Sequence, residues 1–208
     1  MTSEVKMYSN QDIDLVLRKA SAYLNKQVEA FLIGGCAMTF RNLKPATKDA
    51  DLLLEDELSE QRLFQALRQA GLEELFPGSY QQDVKAKDIL IAENGLQFDL
   101  FAKIVMDGLN LSKGMKRRAE KHAKYGNLKV FIASKEDIFL FKAITNRPYP
   151  RDFEDMITLQ QSGLKWPEVI SEYEAQIKGK QIEQNLKKKL TDLKQTGYVN
   201  PLMKKLNI

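Results

Sequence analysis

Apolar side chains recur at three- and four-residue spacing through Ile13, Val16, Leu17, Ala20 and Leu24, one face of a helix that Ser9 is placed to cap. The pattern then changes. Glu29-Ala30-Phe31-Leu32-Ile33 is a short, nearly continuous apolar run that predicts a buried strand, and Gly34-Gly35 breaks it before a second helix over 36–41. Asp51-Leu52-Leu53-Leu54, entered through Thr47-Lys48, predicts another strand. Leu63, Leu67 and Ala70 mark a helix that Ser59 can cap and Gly71 can close. Asp88-Ile89-Leu90-Ile91 and Leu96-Gln97-Phe98-Asp99-Leu100-Phe101 flank Asn94-Gly95, a hairpin signal because both residues accept positive φ. Residues 127–133 predict one more strand.

Beyond that point the periodicity is helical, over 134–145, 150–161, 167–178 and 182–193. Pro150 and Pro167 fall in first turns, where proline is tolerated. In the last of these helices Ile182, Leu186, Leu190 and Leu193 form the apolar stripe, with Lys187, Lys188 and Lys189 largely off it. The order predicts an α+β fold: a core over 1–133, then a helical region over 134–208 packed on it. No internal repeat or low-complexity linker interrupts the chain.

Composition narrows the class. Of 208 residues, 43% are hydrophobic and 29% charged, as in soluble globular proteins. No apolar run approaches the roughly 20 residues needed to cross a bilayer, and the first six residues lack a secretion-signal pattern, so no membrane partner is expected. Cys36 is the only cysteine, which excludes an intrachain disulfide and a cysteine metal cluster; a reducing, cytoplasmic location is the expectation. The net charge of +4 is concentrated from Lys165 onward, where nine lysines face five acidic residues. A second excess runs through Lys113, Lys116, Arg117, Arg118, Lys121 and Lys124, opposed within it only by Glu120. Such runs attract phosphates or serve as solvated helix faces.

The candidate chemistry lies in three places. Asp49 and Asp51 are two residues apart, so on an extended segment both point to one face, and Leu52-Leu53-Leu54 anchor that segment in the core. Two like charges there would repel, and a divalent cation such as Mg²⁺ or Mn²⁺ would relieve that repulsion. Asp99 is a lone carboxylate among Phe98, Leu100 and Phe101; if its strand lies beside that of Asp49 and Asp51, three carboxylates converge. Gly34-Gly35 joins strand to helix and lets backbone N–H groups approach a phosphate. His122, without a second histidine, Cys36 and Asp88 fit structural roles better than chemical ones.

Together these residues resemble the polymerase-beta-like nucleotidyltransferase superfamily. The match is Phe31-Leu32-Ile33-Gly34-Gly35-Cys36-Ala37-Met38, then Arg41, then Thr47-Lys48-Asp49-Ala50-Asp51-Leu52, then Phe98-Asp99-Leu100-Phe101. It is similar above all to small prokaryotic members related to the abortive-infection type II (AbiEii-like) toxins, over residues 10–165. The resemblance implies a nucleotidyltransferase-type mixed sheet with flanking helices, followed by a helical C-terminal part. It implies that Asp49 and Asp51 bind metal, that Asp99 completes the site and takes the acceptor's proton, and that Gly34 and Gly35 help seat the nucleotide. Thr47 and Lys48 belong to the same nucleotide-binding run. These relatives carry a later lysine, arginine and acidic residues on helices, which Lys142, Arg151, Asp152 and Asp155 match. Lys142 and Arg151 would then meet the triphosphate, with Asp152 or Asp155 as the acidic member. Alternatively these four form a helix-packing salt bridge, Arg151 sharing a face with Asp155.

The expected function is metal-dependent transfer of a nucleoside monophosphate from an NTP to an acceptor: an RNA or tRNA 3′ end, a protein hydroxyl or a small molecule. A toxin role, with an antitoxin partner, is implied by the resemblance alone. The competing expectation is a non-catalytic nucleotide- or protein-binding module that keeps the fold, and a third is a plain RNA-binding protein.

Overall fold

The computed structural model describes residues 6–75, 86, 88–105, 108–145 and 151–208. Helix α1 (Asn10–Ser21) begins at Ser9, whose Oγ accepts from the Asp12 N–H while Asp12 accepts from the Ser9 N–H, a reciprocal capping box. Its buried face is Ile13, Val16, Leu17 and Ala20, as the periodicity predicts. Strand β1 (Val28–Ile33) runs straight into α2 (Gly34–Phe40), which starts two residues earlier than expected. Strand β2 (Asp49–Leu54) also starts early, so both aspartates lie on it.

Helix α3 (Glu57–Gln69) is capped by Asp56, not Ser59: the Ser59 N–H donates to Asp56 Oδ1 at 2.7 Å. The expected cap sits one turn too late, because Asp and Ser compete for one role and Asp comes first. Gly71 stands just past the helix with φ +99°, as anticipated.

Three strands follow: β3 (Glu73–Glu74), β4 (Asp88–Ile91) and β5 (Gln97–Ala102). The β4–β5 turn is a hairpin, although only Gly95 takes positive φ. Next come the short pair β6 (Ile104–Val105) and β7 (Leu109–Asn110), then α4 (Lys113–Arg118). Strands β8 (Glu120–Tyr125) and β9 (Leu128–Ile132) follow. The basic run is therefore half helix and half strand rather than a continuous helix face. Helices α5 (Lys135–Ile144), α6 (Arg151–Gln161), α7 (Trp166–Gln176), α8 (Ile182–Gln195) and α9 (Pro201–Lys205) complete the chain. Pro167 lies in the first turn of α7, as expected, whereas Pro150 falls outside the described residues.

The fold is α+β. Seven strands form a mixed sheet in the order β3-β4-β5-β2-β1-β9-β8, with β1 parallel to β9 and antiparallel to β2, and β2 parallel to β5. Helices α1 and α3 pack together and on the sheet, while α5 is the hub that α6, α7 and α8 touch. One hydrophobic cluster runs from Tyr8 to Met203 through both sets of helices. Among the described residues no helix is long and apolar enough to cross a membrane.

Candidate active site

Side chains alternate along a strand, so Asp49, Asp51 and Leu53 share one face of β2 while Ala50, Leu52 and Leu54 fill the core on the other. Register carries that face across the sheet. Asp51 lies opposite Ile33 on one side and Asp99 on the other, and Asp49 lies opposite Gln97. The strand adjacency inferred from sequence is thus present, with Asp99 directly beside Asp51. Asp99 is 2% exposed and accepts a 2.6 Å hydrogen bond from Gln97 Nε2. Asp88 pairs with Leu100 while its neighbour Ile89 pairs with Asp99, so Asp88 belongs to the opposite face.

Gly34 accommodates Asp51. Its φ is +62°, and a Cβ built there would lie 2.1 Å from Asp51 Oδ2. Any side chain would strike the carboxylate and strain the backbone. At Gly35 a Cβ would come within 3.3 Å of Thr47 Oγ1, which donates to the Asp49 carbonyl at 3.0 Å. Thr47 in turn pairs through its backbone with Tyr8, whose phenol donates to the Asn94 carbonyl at 2.8 Å. One N-terminal segment therefore ties the entry of β2 to the turn before β5. Cys36 is fully buried and donates to the Ile33 carbonyl at 3.0 Å; burial, then the charges of Asp51 and Asp49, push its thiol well up. It packs as a small apolar residue.

The helical layer supplies a second group of charges. Lys142 Nζ lies 3.0 Å from Asp152 Oδ1 and 2.9 Å from Asp155 Oδ2, and Lys44 Nζ lies 2.5 Å from Asp155 Oδ1. Lys189 reaches Asp152 Oδ2 at 3.4 Å and donates to the Lys142 carbonyl at 2.7 Å, with the Thr145 hydroxyl also in contact. That hydroxyl is 2.5 Å from Asp152 Oδ2. Burial alone would lower Lys142 and raise Asp152. Instead Asp152 and Asp155 hold Lys142 above its ordinary value, and Lys142, Thr145 and Lys189 hold Asp152 down to about 2.

These two groups face one cleft, lined by Ile33, Gly34 and Asp51 from the sheet side and by Phe141, Lys142, Thr145 and Asp152 from the helices. Its volume is about 40 Å³, little more than a water molecule occupies. A roomier depression of about 680 Å³ lies between the start of α1 and residues 42–45 and contains none of the carboxylates.

Of the residues singled out from sequence, Gly34, Asp51, Lys142 and Asp152 line the cleft, and Asp49 and Asp99 share the sheet face with Asp51. Asp155 lies behind Lys142, bound to Lys44 instead of the Arg151 partner considered above. Arg151 is exposed at the start of α6. Arg41 is turned to the other end of α2, donating to the Ala133 and Ile132 carbonyls and pairing with Glu120 at 3.3 Å. Lys48 is half-buried outside the cleft lining.

The sequence reading missed Lys44, Gln97, Thr145 and Lys189. Only Lys189 left a signal: it stands three residues after Leu186 and seven after Ile182, on the apolar stripe of α8 rather than off it, and it is 5% exposed. His122 lies 3.0 Å from Asp14 and packs edge-on against Phe40, a structural placement.

Whether the carboxylates suit a metal turns on type and placement. Asp49, Asp51 and Asp99 are hard oxygen donors on one face, and the missing side chain of Gly34 leaves the space that the Asp51 carboxylate occupies. No three acidic, histidine or cysteine side chains among the described residues form a ready metal cluster. Asp49 and Asp51 are of the donor type a divalent cation takes, and Asp99, bonded to Gln97, lies on the neighbouring strand.

No protein-family model matches the chain, and no curated protein matches it. Among solved structures it is similar to one described as a "putative nucleotidyltransferase" from H. pylori, at 12% identity and a TM-score of 0.39, covering 86% of this chain and 91% of the other. At that score the likeness carries no chemistry to this chain.

Proposed function

We propose that this protein is a nucleotidyltransferase that moves a nucleoside monophosphate from an NTP to an acceptor. The observation that carries the reading is the placement of Asp49, Asp51 and Asp99 on one sheet face, with Gly34 cleared of any side chain beside Asp51. Asp49 and Asp51 would hold Mg²⁺ or Mn²⁺, which supplies charge neutralisation for the triphosphate and the attacking oxygen. The acceptor hydroxyl attacks the α-phosphorus, the bond to the β-phosphate breaks, and pyrophosphate leaves. Asp99, one strand away from Asp51, takes the hydroxyl proton. Lys142 meets the departing phosphates once it exchanges an aspartate partner for them. The acceptor is an RNA or tRNA 3′ end, a protein hydroxyl or a small molecule. A cytoplasmic toxin restrained by an antitoxin is the biological setting we favour, and growth arrest on expression that vanishes in Asp49→Ala would support it.

The deciding experiment incubates the protein with each labelled NTP, Mg²⁺ or Mn²⁺, and total RNA or lysate. Label should move to an acceptor and drop by about a thousandfold or more in Asp49→Asn/Asp51→Asn with the fold retained. Failure to bind any NTP with metal sinks the reading. A second reading, a non-catalytic binding module, is favoured by the cleft volume of about 40 Å³, where bound nucleotides need several hundred. Failure of NTP to bind, with the fold retained, would select its protein-binding form.

A further inference from the structure

Pairing extends the carboxylate face well beyond β2. On β1 the residues in step with Asp51 are Ile33, Phe31 and Glu29; on β9 they are Phe131 and Lys129, and on β8 Lys121 and Lys124. Lys121 and Lys124 are three residues apart, which on a regular strand sends them to opposite faces. A bulge between Lys121 and Ala123 corrects this. It leaves Lys121 opposite Phe131 and Lys124 opposite Lys129, and both lysines join the face of Asp51. His122 and Tyr125 engage α1 instead, through Asp14 and Arg18.

The basic run is also sorted by use. Arg118 is buried against Asp137, Glu168 and Glu172, and Lys116 pairs with Glu55. Lys113, Arg117, Lys121 and Lys124 are exposed and have no ionic partner among the described residues. Beside Lys121 on β9 lies a half-exposed aromatic: Phe131 stacks on Phe31 with ring centroids 4.9 Å apart and planes at 14°. With strands about 4.8 Å apart, Phe131 stands about 10 Å and Lys121 about 14 Å sideways of Asp51. That is the span of two to three nucleotides.

We propose that this β8–β9 face binds single-stranded nucleic acid, a phosphodiester strand with unstacked bases. Lysines on the strand next to a half-exposed ring can hold phosphates while the ring stacks a base. Lysines that only guard an edge strand have no need of one face, yet here a bulge places them on the face of the carboxylates. The strand's role as acceptor rests on the nucleotidyltransferase reading; its binding does not.

The test is fluorescence anisotropy of the full chain with labelled 12-nucleotide RNA and DNA oligomers over a salt series, without NTP. Lys121→Glu/Lys124→Glu should weaken binding at least about tenfold and reduce the salt slope by about 1.4. Phe131→Leu should weaken it about fivefold to tenfold. Lys188→Glu/Lys194→Glu, an equal charge change on α8, should leave it within about twofold. Equal loss in both charge variants, or no binding by the unaltered chain, overturns the proposal. Preference for RNA over DNA would name the strand. Retained binding alongside absent NTP transfer would leave this face standing while the enzyme reading fell.

Discussion

Two sets of carboxylates meet at one cleft through Asp51 and Asp152, and they differ in how they are held. On the helices, Asp152 and Asp155 are closed in by Lys142, Lys189 and Lys44 and are 7% and 2% exposed. On the sheet, Asp49 and Asp51 remain half-exposed, and Asp99 is buried and accepts a hydrogen bond from the Gln97 amide. The helical set is tied into ion pairs that span α5, α6 and α8, whereas strand register is what gathers the sheet set on one face. Buried charge is costly unless it is paired, and on the helices it is. The contrast is between charges locked into helix packing and a pair, Asp49 and Asp51, that keeps partial exposure.

The largest effect should come from breaking the helical set. Lys142→Met removes the cation shared by Asp152 and Asp155 and leaves both buried, which should cost about 3–5 kcal/mol in urea unfolding. A cost under about 1 kcal/mol would mean the network does not hold the helices. Next comes acid. Asp152 titrates near 2 in the folded chain against an ordinary value of 3.8, so its contribution is complete above about 4 and is lost as pH falls toward 2. The loss should be about 2 kcal/mol between those limits, visible as a falling melting temperature, and Asp152→Asn should flatten it. Because Lys142 is raised by the same pair, this is one contribution seen from the acid side, not two to be added. The smallest effect should come from the sheet set. Asp49→Asn should alter stability by no more than about 0.5 kcal/mol, since it relieves repulsion without opening a cavity. A marked destabilisation there would erase the contrast.

What sequence alone could reveal follows the same division. The sheet set was legible because its signals are local: a D-x-D step leading an apolar strand, a glycine pair after another, and a lone aspartate among large apolar residues. Placing β5 beside β2 needed an inference across 48 positions, and the register Asp51 to Asp99 bears it out. The helical set was legible only in part. Lys142 and Asp152 are ten residues apart and were linked, but Lys189 lies 37 residues from Asp152 and 47 from Lys142. Its burial was hidden inside a run of three lysines that looked like a solvated face. Edge strand β8 escaped notice because Glu-Lys-His-Ala-Lys-Tyr carries no apolar alternation; its bulge and exposure on both sides remove the usual signal. The cap of α3 was misplaced for a smaller reason, two capping residues standing three positions apart.

The lysine-aspartate lattice over the cleft also limits how such a chain can descend with modification. Lys142, Thr145, Asp152 and Lys189 answer to one another across three helices, so a change at any one strands charge or leaves a polar group without its bond. Single steps away from this arrangement are selected against, whereas a replacement of the whole set by well-fitting apolar side chains is open. Lineages of this fold should therefore inherit the four residues together or lose them together. An isolated lysine at position 189, without an acidic partner at 152, should be rare among them.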